Sequence, residues 1–171
     1  MLTSLCKIID GISWIATRLA DLAVILLVLA MVYEVAARYM FHAPTEWAFD
    51  IAYMSNGAIF LLGLGWVLRQ DGHIRIDVVR NKLPATLTRI TDIIIYLVIL
   101  FPLFCMFSRV AIIKALYAWR TNEVEMVSPW APLMWPFYAV IAIGLVVLSL
   151  QFLAQGLRML SGTSVAKGEA A

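Results

Sequence analysis

The sequence is short of charged residues. Lys, Arg, Asp and Glu make up only 14% of the 171 residues, whereas 63% are hydrophobic, and the mean hydropathy is +0.91. Soluble domains average about 25% charged and about 45–50% apolar residues. These values exclude a disordered chain, argue against a soluble enzyme and predict an integral membrane protein. The net charge of +2 is too small to indicate nucleic-acid binding.

Cysteine, histidine and catalytic motifs are also scarce. The two cysteines, Cys6 and Cys105, form no CxxC pair, which argues against a disulfide framework, a thiolate metal site and thiol-redox chemistry. The two histidines, His42 and His73, fall outside the apolar segments, so a four-helix haem-b protein is excluded. No HExxH, GxxxxGK[ST] or GxSxG motif occurs. We therefore expect no enzymatic activity, no cofactor and no metal.

Four apolar segments are long enough to cross a bilayer. A hydrocarbon core of about 30 Å requires about 20 mostly apolar residues in a helix. We predict an all-α integral membrane protein forming one domain over residues 1–171, with a loop over 69–87 between the second and third spans. The four predicted spans cover approximately residues 12–41, 45–68, 88–119 and 129–157.

Lysine and arginine are distributed unevenly between the two sides of these spans. Nine lie on the side with both termini and the 69–87 loop, and four lie on or near the other side. Because cytoplasmic segments are enriched in Lys and Arg, both termini are predicted to be cytoplasmic.

Local signals mark the predicted helix boundaries. Thr45 is expected to be the N-cap of the second span, and Ser128 followed by Pro129 is expected to begin the fourth. Pro102 lies inside the third span and is expected to kink it.

Three charged residues near the outer ends of the first two spans are candidates for function, because charges in membrane helices are costly. Glu34 and Arg38 have the spacing of a favourable i,i+4 pair. A helical hairpin would bring Arg38 to Asp50, since their depths differ by only about 3 Å. The group is either a substrate or proton site, or a structural clamp that locks the hairpin.

The outer end of the third span is basic. Arg109 and Lys114 either attract an anion or snorkel to lipid headgroups or to the acids Glu123 and Glu125. Together with Arg120, they are candidates for a periplasmic contact.

Small residues lie near one stripe of the second span. They include Ala48, Ala52 and Gly63, with Asn56 able to hydrogen-bond across a helix contact. Such spacing is typical of helix packing, within the chain or with a partner.

The predicted loop after the second span mixes apolar and basic residues. It either lies on membrane lipid as a short amphipathic segment or docks on a partner subunit. Within it, His73 is a candidate switch, although a solvated or capping role is the alternative.

Short motifs follow one another in a characteristic order from the end of the first span. Residues 37–41 read Ala-Arg-Tyr-Met-Phe, and after Pro44 residues 47–50 read Trp-Ala-Phe-Asp. Gly63 precedes residues 68–77, which read Leu-Arg-Gln-Asp-Gly-His-Ile-Arg-Ile-Asp. This series resembles the small membrane subunit (DctQ type) of tripartite ATP-independent periplasmic (TRAP) transporters. One departure is Phe49, because the family often has two adjacent acids after the Trp.

The resemblance implies a division of labour in a bacterial inner membrane. A periplasmic substrate-binding protein captures a substrate, usually an organic acid, and a large membrane subunit holds the substrate and sodium sites and moves like an elevator. The small subunit packs beside the large one, widens the fixed scaffold and holds no substrate. By the same resemblance, Arg38, Trp47 and Asp50 are structural, and His73 with Asp77 orders the inner loop.

Two other function classes fit the composition. A small multidrug-type exporter also has four helices and an intramembrane glutamate, for which Glu34 is the candidate. Glu34 lies toward the outer end of its span, however, and the chain is long for that class. The other is a four-helix membrane adaptor that transports nothing.

Overall fold

Four helices make up most of the computed structural model, which describes residues 2–70 and 85–161. We label them α1 to α4, and α3 is one continuous helix with three parts. The bounds are Leu2–Met40 for α1, Ala48–Arg69 for α2, Ala85–Ile93, Ile94–Leu100 and Phe101–Thr121 for α3, and Trp135–Ser161 for α4. Each contains a stretch that is long and apolar enough to span a membrane. The prediction of an all-α protein with four spans is confirmed.

Successive helices run antiparallel, so the bundle has two distinct ends. The loop end carries residues 41–47 and 122–134, and the terminal end carries the start of α1 and the end of α4. Contacts between Asp10 and Arg158 and between Cys6 and Ala154 bring those two helix ends together. That the terminal end is cytoplasmic stays a prediction.

The helix α4 lies at the centre of the packing. It contacts α1, α2 and α3, and half of its most apolar 18-residue stretch is buried. Far fewer side chains of α3 are buried, and they include Tyr96, Ser108 and Ala118. Three clusters of buried side chains tie α4 to its neighbours, represented by Val147, Leu148 and Ala154. The bundle is therefore a close group of α1, α2 and α4, with α3 added along α4.

The close approach of α4 to its neighbours depends on Gly65 and Gly144 and not on Gly63. A Cβ at Gly144 would lie 2.8 Å from Leu61 Cβ, and one at Gly65 would lie 3.0 Å from a Val147 methyl group. At Gly63 a Cβ would meet nothing within 4 Å, and Asn56 is exposed. Of the two alternatives for these residues, packing within the chain is not formed, and packing with a partner stays a prediction.

Two of the predicted helix starts are also wrong. The helix α2 begins at Ala48, and its N-cap position is Trp47 without a side-chain cap, because Thr45 is bonded to Glu34 instead. The helix α4 begins at Trp135, because residues before it fold back in a loop where Val124 bridges to Leu133.

Two residues in left-handed conformations end the helices that lead into the loop end. His42 (φ 52°) follows α1 and allows Ala43 N–H to reach Ala37 C=O at 3.0 Å. Asn122 (φ 49°) ends α3 in the same conformation. Such residues let the chain turn while the last helical carbonyls keep their partners.

The proline inside α3 is accommodated by a wider helix. Residues Ile94–Leu100 are π-helical, and Phe101 N–H bonds to Tyr96 C=O just before Pro102. A π-helical segment inserts extra residues and shifts the hydrogen-bond register, which helps a helix to tolerate the N–H that proline lacks. The widened segment places Leu97 against Gly156, where a Cβ would lie 2.5 Å from Leu97 Cγ.

The predicted loop over 69–87 is shorter in the structure. The helix α2 extends to Arg69, and α3 begins at Ala85. The rest of that loop, with His73 and Asp77, lies outside the described residues.

Candidate functional site

A buried carboxylate ties α1 to the loop that follows it. Glu34 is 6% exposed and accepts hydrogen bonds from the backbone N–H (2.9 Å) and the hydroxyl of Thr45. Its other oxygen pairs with Arg38, whose Nε lies 2.9 Å away. The predicted i,i+4 pair is confirmed, and the carboxylate also holds the 41–47 turn in place.

A second buried carboxylate ties the start of α2 to the 122–134 loop. Asp50, in the first turn of α2, is 5% exposed and accepts a hydrogen bond from the hydroxyl of Ser128. The predicted contact between Arg38 and Asp50 is therefore wrong, because each has a different partner. Close to this point, Trp47 stacks on Tyr33 with ring centroids 5.5 Å apart.

The three basic residues of the Phe101–Thr121 part of α3 divide into one that is paired and two that are not. Lys114 Nζ lies 2.8 Å from both carboxylate oxygens of Glu123 and 5.0 Å from the centre of the Tyr138 ring. Of the alternatives for Lys114, pairing with an acid of the 122–134 loop is therefore formed. Arg109 and Arg120 are exposed and have no hydrogen bond or ion pair to any residue of 2–70 or 85–161.

The largest polar cluster lies at the terminal end, and the sequence did not predict it. Asp10 on α1 pairs with Arg69 on α2 (3.2 Å) and Arg158 on α4 (2.5 Å), and it accepts a hydrogen bond from Gln151 (3.3 Å). The Gln151 carbonyl oxygen in turn accepts one from Ser13 at 3.0 Å. The cluster joins three helices through side chains that are mostly buried. One sequence signal for this cluster is Gln151, a polar residue within the otherwise charge-free fourth span.

These arrangements neutralise charge and leave little to bind a polar solute. Where the chain is described, each acid within a candidate span has a partner, and no three His, Cys, Asp or Glu side chains come together as a metal site would need. A recess of about 480 Å³ lies between α3 and α4, with Phe107, Ile141 and Leu145 among its mostly apolar lining. Its one cation is Lys114, which Glu123 already holds. The paired polar groups of the described bundle thus connect helices and loops to one another.

The comparison with protein families gives one match. The model of the family described as "Tripartite ATP-independent periplasmic transporters, DctQ component" matches residues 27–162, which is most of the chain. The matched region runs from the middle of α1 to the end of α4 and includes both loop-end carboxylates. No curated protein and no solved structure matches the chain.

Proposed function

Because the chain belongs to the DctQ family of TRAP transporter components, we propose that it is the small, scaffold-forming permease subunit of a binding-protein-dependent secondary transporter. In this proposal it packs against the large, elevator-type membrane subunit in a bacterial inner membrane. A periplasmic binding protein delivers an organic acid, and an ion gradient, with Na+ as the coupling ion, drives import.

The observation that supports the proposal most directly is that the buried acidic residues are paired within the chain. Glu34, Asp50 and Asp10 are each engaged by partners that connect separate elements of the chain. A transport site needs polar groups that exchange partners with substrate, ion or water, whereas these groups have fixed partners. A chain of this kind is suited to stay still while another subunit moves.

An elevator mechanism requires a part that stays fixed, and in this proposal the small subunit belongs to that part. One part of such a transporter slides across the membrane while another keeps its place. The helix α1 has 39 residues, about 58 Å at 1.5 Å per residue, and so exceeds the thickness of the hydrocarbon core. It is bonded to α2 and α4 near one end and to the 41–47 turn near the other. In the proposed complex, α1 therefore widens the part that stays fixed.

The exporter alternative depends on a glutamate that is open to solute and protons. Glu34 is instead buried, with two bonds from Thr45 and an ion pair to Arg38. This environment favours the structural clamp over a proton-exchange site. A proton-dependent uptake assay with this chain alone tests the exporter directly, and we expect no uptake.

Affinity purification tests the proposal as a whole. The chain, tagged at Ala171, is purified from its native membrane in a mild detergent, and its partners are identified by mass spectrometry. We expect a large polytopic transporter subunit in roughly one-to-one ratio. Recovery of the chain alone, or only with itself, would contradict the proposal and would make Glu34 the residue to test. A stable partner without transport activity would instead support the membrane adaptor.

A further inference from the structure

Between Val98 and Ile113, the face of α3 that points away from α4 is apolar except for one cation, Arg109. Its exposed side chains include Val98 and Met106, which are 65% and 68% exposed, and Ile113 at 56%. Arg109 lies among them and is exposed as well. Since these side chains are exposed, this face is free to meet lipid or another protein.

Arg109 lies deep within the span. It is about 5 Å from the midpoint of Ile90–Thr121 and about 18 Å from Thr121, at 1.5 Å per residue. Half of a hydrocarbon core is about 15 Å, which places the Arg109 backbone about 10 Å below the nearer surface. A guanidinium at this depth needs a counter-charge or strong acceptors, because burying an unpaired charge in hydrocarbon is costly.

The part of the chain that the structure describes provides no counter-charge to Arg109. Within residues 2–70 and 85–161, Arg109 has no hydrogen-bond or ion-pair partner, and the acids of the candidate spans are engaged elsewhere. The exposed face of α1 differs in this respect. Its cation Arg18 pairs with Asp21 at 3.1 Å, so that face carries no net charge there and suits lipid.

We propose that the α3 face around Arg109 is the surface on which the chain docks against a membrane-spanning helix of the large transporter subunit, and that this helix supplies a carboxylate to Arg109. The inference rests on the proposed function and adds which helix makes the contact. A second copy of this chain is a poorer occupant, because the α3 face around Arg109 has no acid and would bring Arg109 against Arg109. A lipid phosphate lies at the surface rather than at the depth of Arg109.

Site-specific photo-crosslinking tests the docking face. A benzophenone amino acid replaces Met106 or Ile113 on α3, or Leu22 or Leu29 on α1, in the full chain co-expressed with the large subunit. The α1 positions are matched controls, since they are 61–62% exposed and equally apolar. We expect crosslinks to the large subunit from the α3 positions. If the large subunit co-purifies but crosslinks only from α1, or from neither helix, the docking face is wrong and the proposed function stands. If the large subunit does not co-purify with the wild-type chain, the proposed function itself fails.

Substitution of Arg109 tests the carboxylate partner. We expect Arg109→Gln to lower recovery of the large subunit about tenfold and Arg109→Lys to restore much of it, because the charge returns. Arg120→Gln is the control, since Arg120 is an exposed, unpaired arginine at the end of the same helix. Because Arg109 contacts no polar partner within the described chain, the helical content of the Arg109→Gln chain should equal that of the wild type. Unchanged recovery with Arg109→Gln would overturn the pairing of Arg109 with a carboxylate of the large subunit.

Discussion

Gln151 on α4 accepts a hydrogen bond from Ser13 on α1 at 3.0 Å, and neither residue has any exposed surface. Because Gln151 also donates to Asp10, this amide connects the buried contact between two helices to the ion pairs at the terminal end. In a membrane, hydrogen bonds of this kind between helices add to packing as a source of helix association.

Removing the amide should loosen the contact between α1 and α4. We expect Gln151→Leu to lower the free energy of unfolding by about 1–2 kcal/mol, because both of its hydrogen bonds are lost. A double-mutant cycle with Ser13→Ala should give a coupling energy of about 1 kcal/mol. Reversible unfolding in mixed detergent micelles, followed by circular dichroism, measures both. Strict additivity of the two substitutions would contradict the Ser13–Gln151 bond.

The carboxylate of Asp10 should matter more than that of Asp21. Asp10→Asn leaves Arg69 and Arg158 close together without their shared counter-charge, and the Arg158 side chain is only 11% exposed. Breaking a buried ion pair in this way costs about 3 kcal/mol. Asp21→Asn is the matched control, because its pair with Arg18 is exposed and such pairs contribute about 0–1 kcal/mol. Equal effects of the two substitutions in the same unfolding assay would contradict the importance of the terminal-end cluster.

The sequence predicted those parts of the structure that local patterns determine. The four spans follow from hydropathy, and the Glu34–Arg38 pair follows from i,i+4 spacing. The bond between Ser128 and Asp50 joins residues 78 positions apart, and no local pattern announces it. Ser-Pro is a local signature of a helix start, and this pattern predicts Ser128 to be a helix cap. In the folded chain the Ser128 hydroxyl bonds instead to the Asp50 carboxylate on α2.

The terminal-end cluster was missed for a related reason. Asp10 and Arg158 lie 148 positions apart, and their contact depends on how α1 and α4 are rotated about their axes. Hydropathy gives the length of a span but not its rotation. The glycines illustrate the same limit, since Gly63 and Gly65 are both small residues of α2 and only Gly65 faces α1 and α4.

That difference between glycines can be measured. Gly144→Ala should destabilise the chain by about 1–3 kcal/mol, because the added Cβ would lie 2.8 Å from Leu61 Cβ and 3.1 Å from its backbone carbon. Gly63→Ala should be neutral or stabilising by up to about 1 kcal/mol, since a Cβ there meets nothing within 4 Å and alanine favours the helix. Unfolding of the isolated chain provides the comparison. If Gly63→Ala keeps this stability but lowers recovery of the large subunit, Gly63 packs against that partner. A neutral Gly144→Ala would contradict the close contact between α2 and α4.

Glu34, Arg38 and Thr45 together hold the turn after α1, and we call this group the loop-end clamp. The clamp is expected to depend on Glu34 more than on Arg38. Glu34→Ala removes the ion pair and both bonds to Thr45, and we expect a loss of about 2–3 kcal/mol in the free energy of unfolding. Arg38→Ala leaves the buried Glu34 carboxylate without its cation but keeps both of its bonds from Thr45, so its cost should be smaller, about 1–2 kcal/mol. In the complete transporter, uptake per assembled complex should equal that of the wild type for both variants, because a clamp affects assembly and not the transport step. The opposite result, a Glu34→Ala complex that assembles normally and transports nothing, would show that Glu34 takes part in transport and would return it to the role of a proton or substrate site.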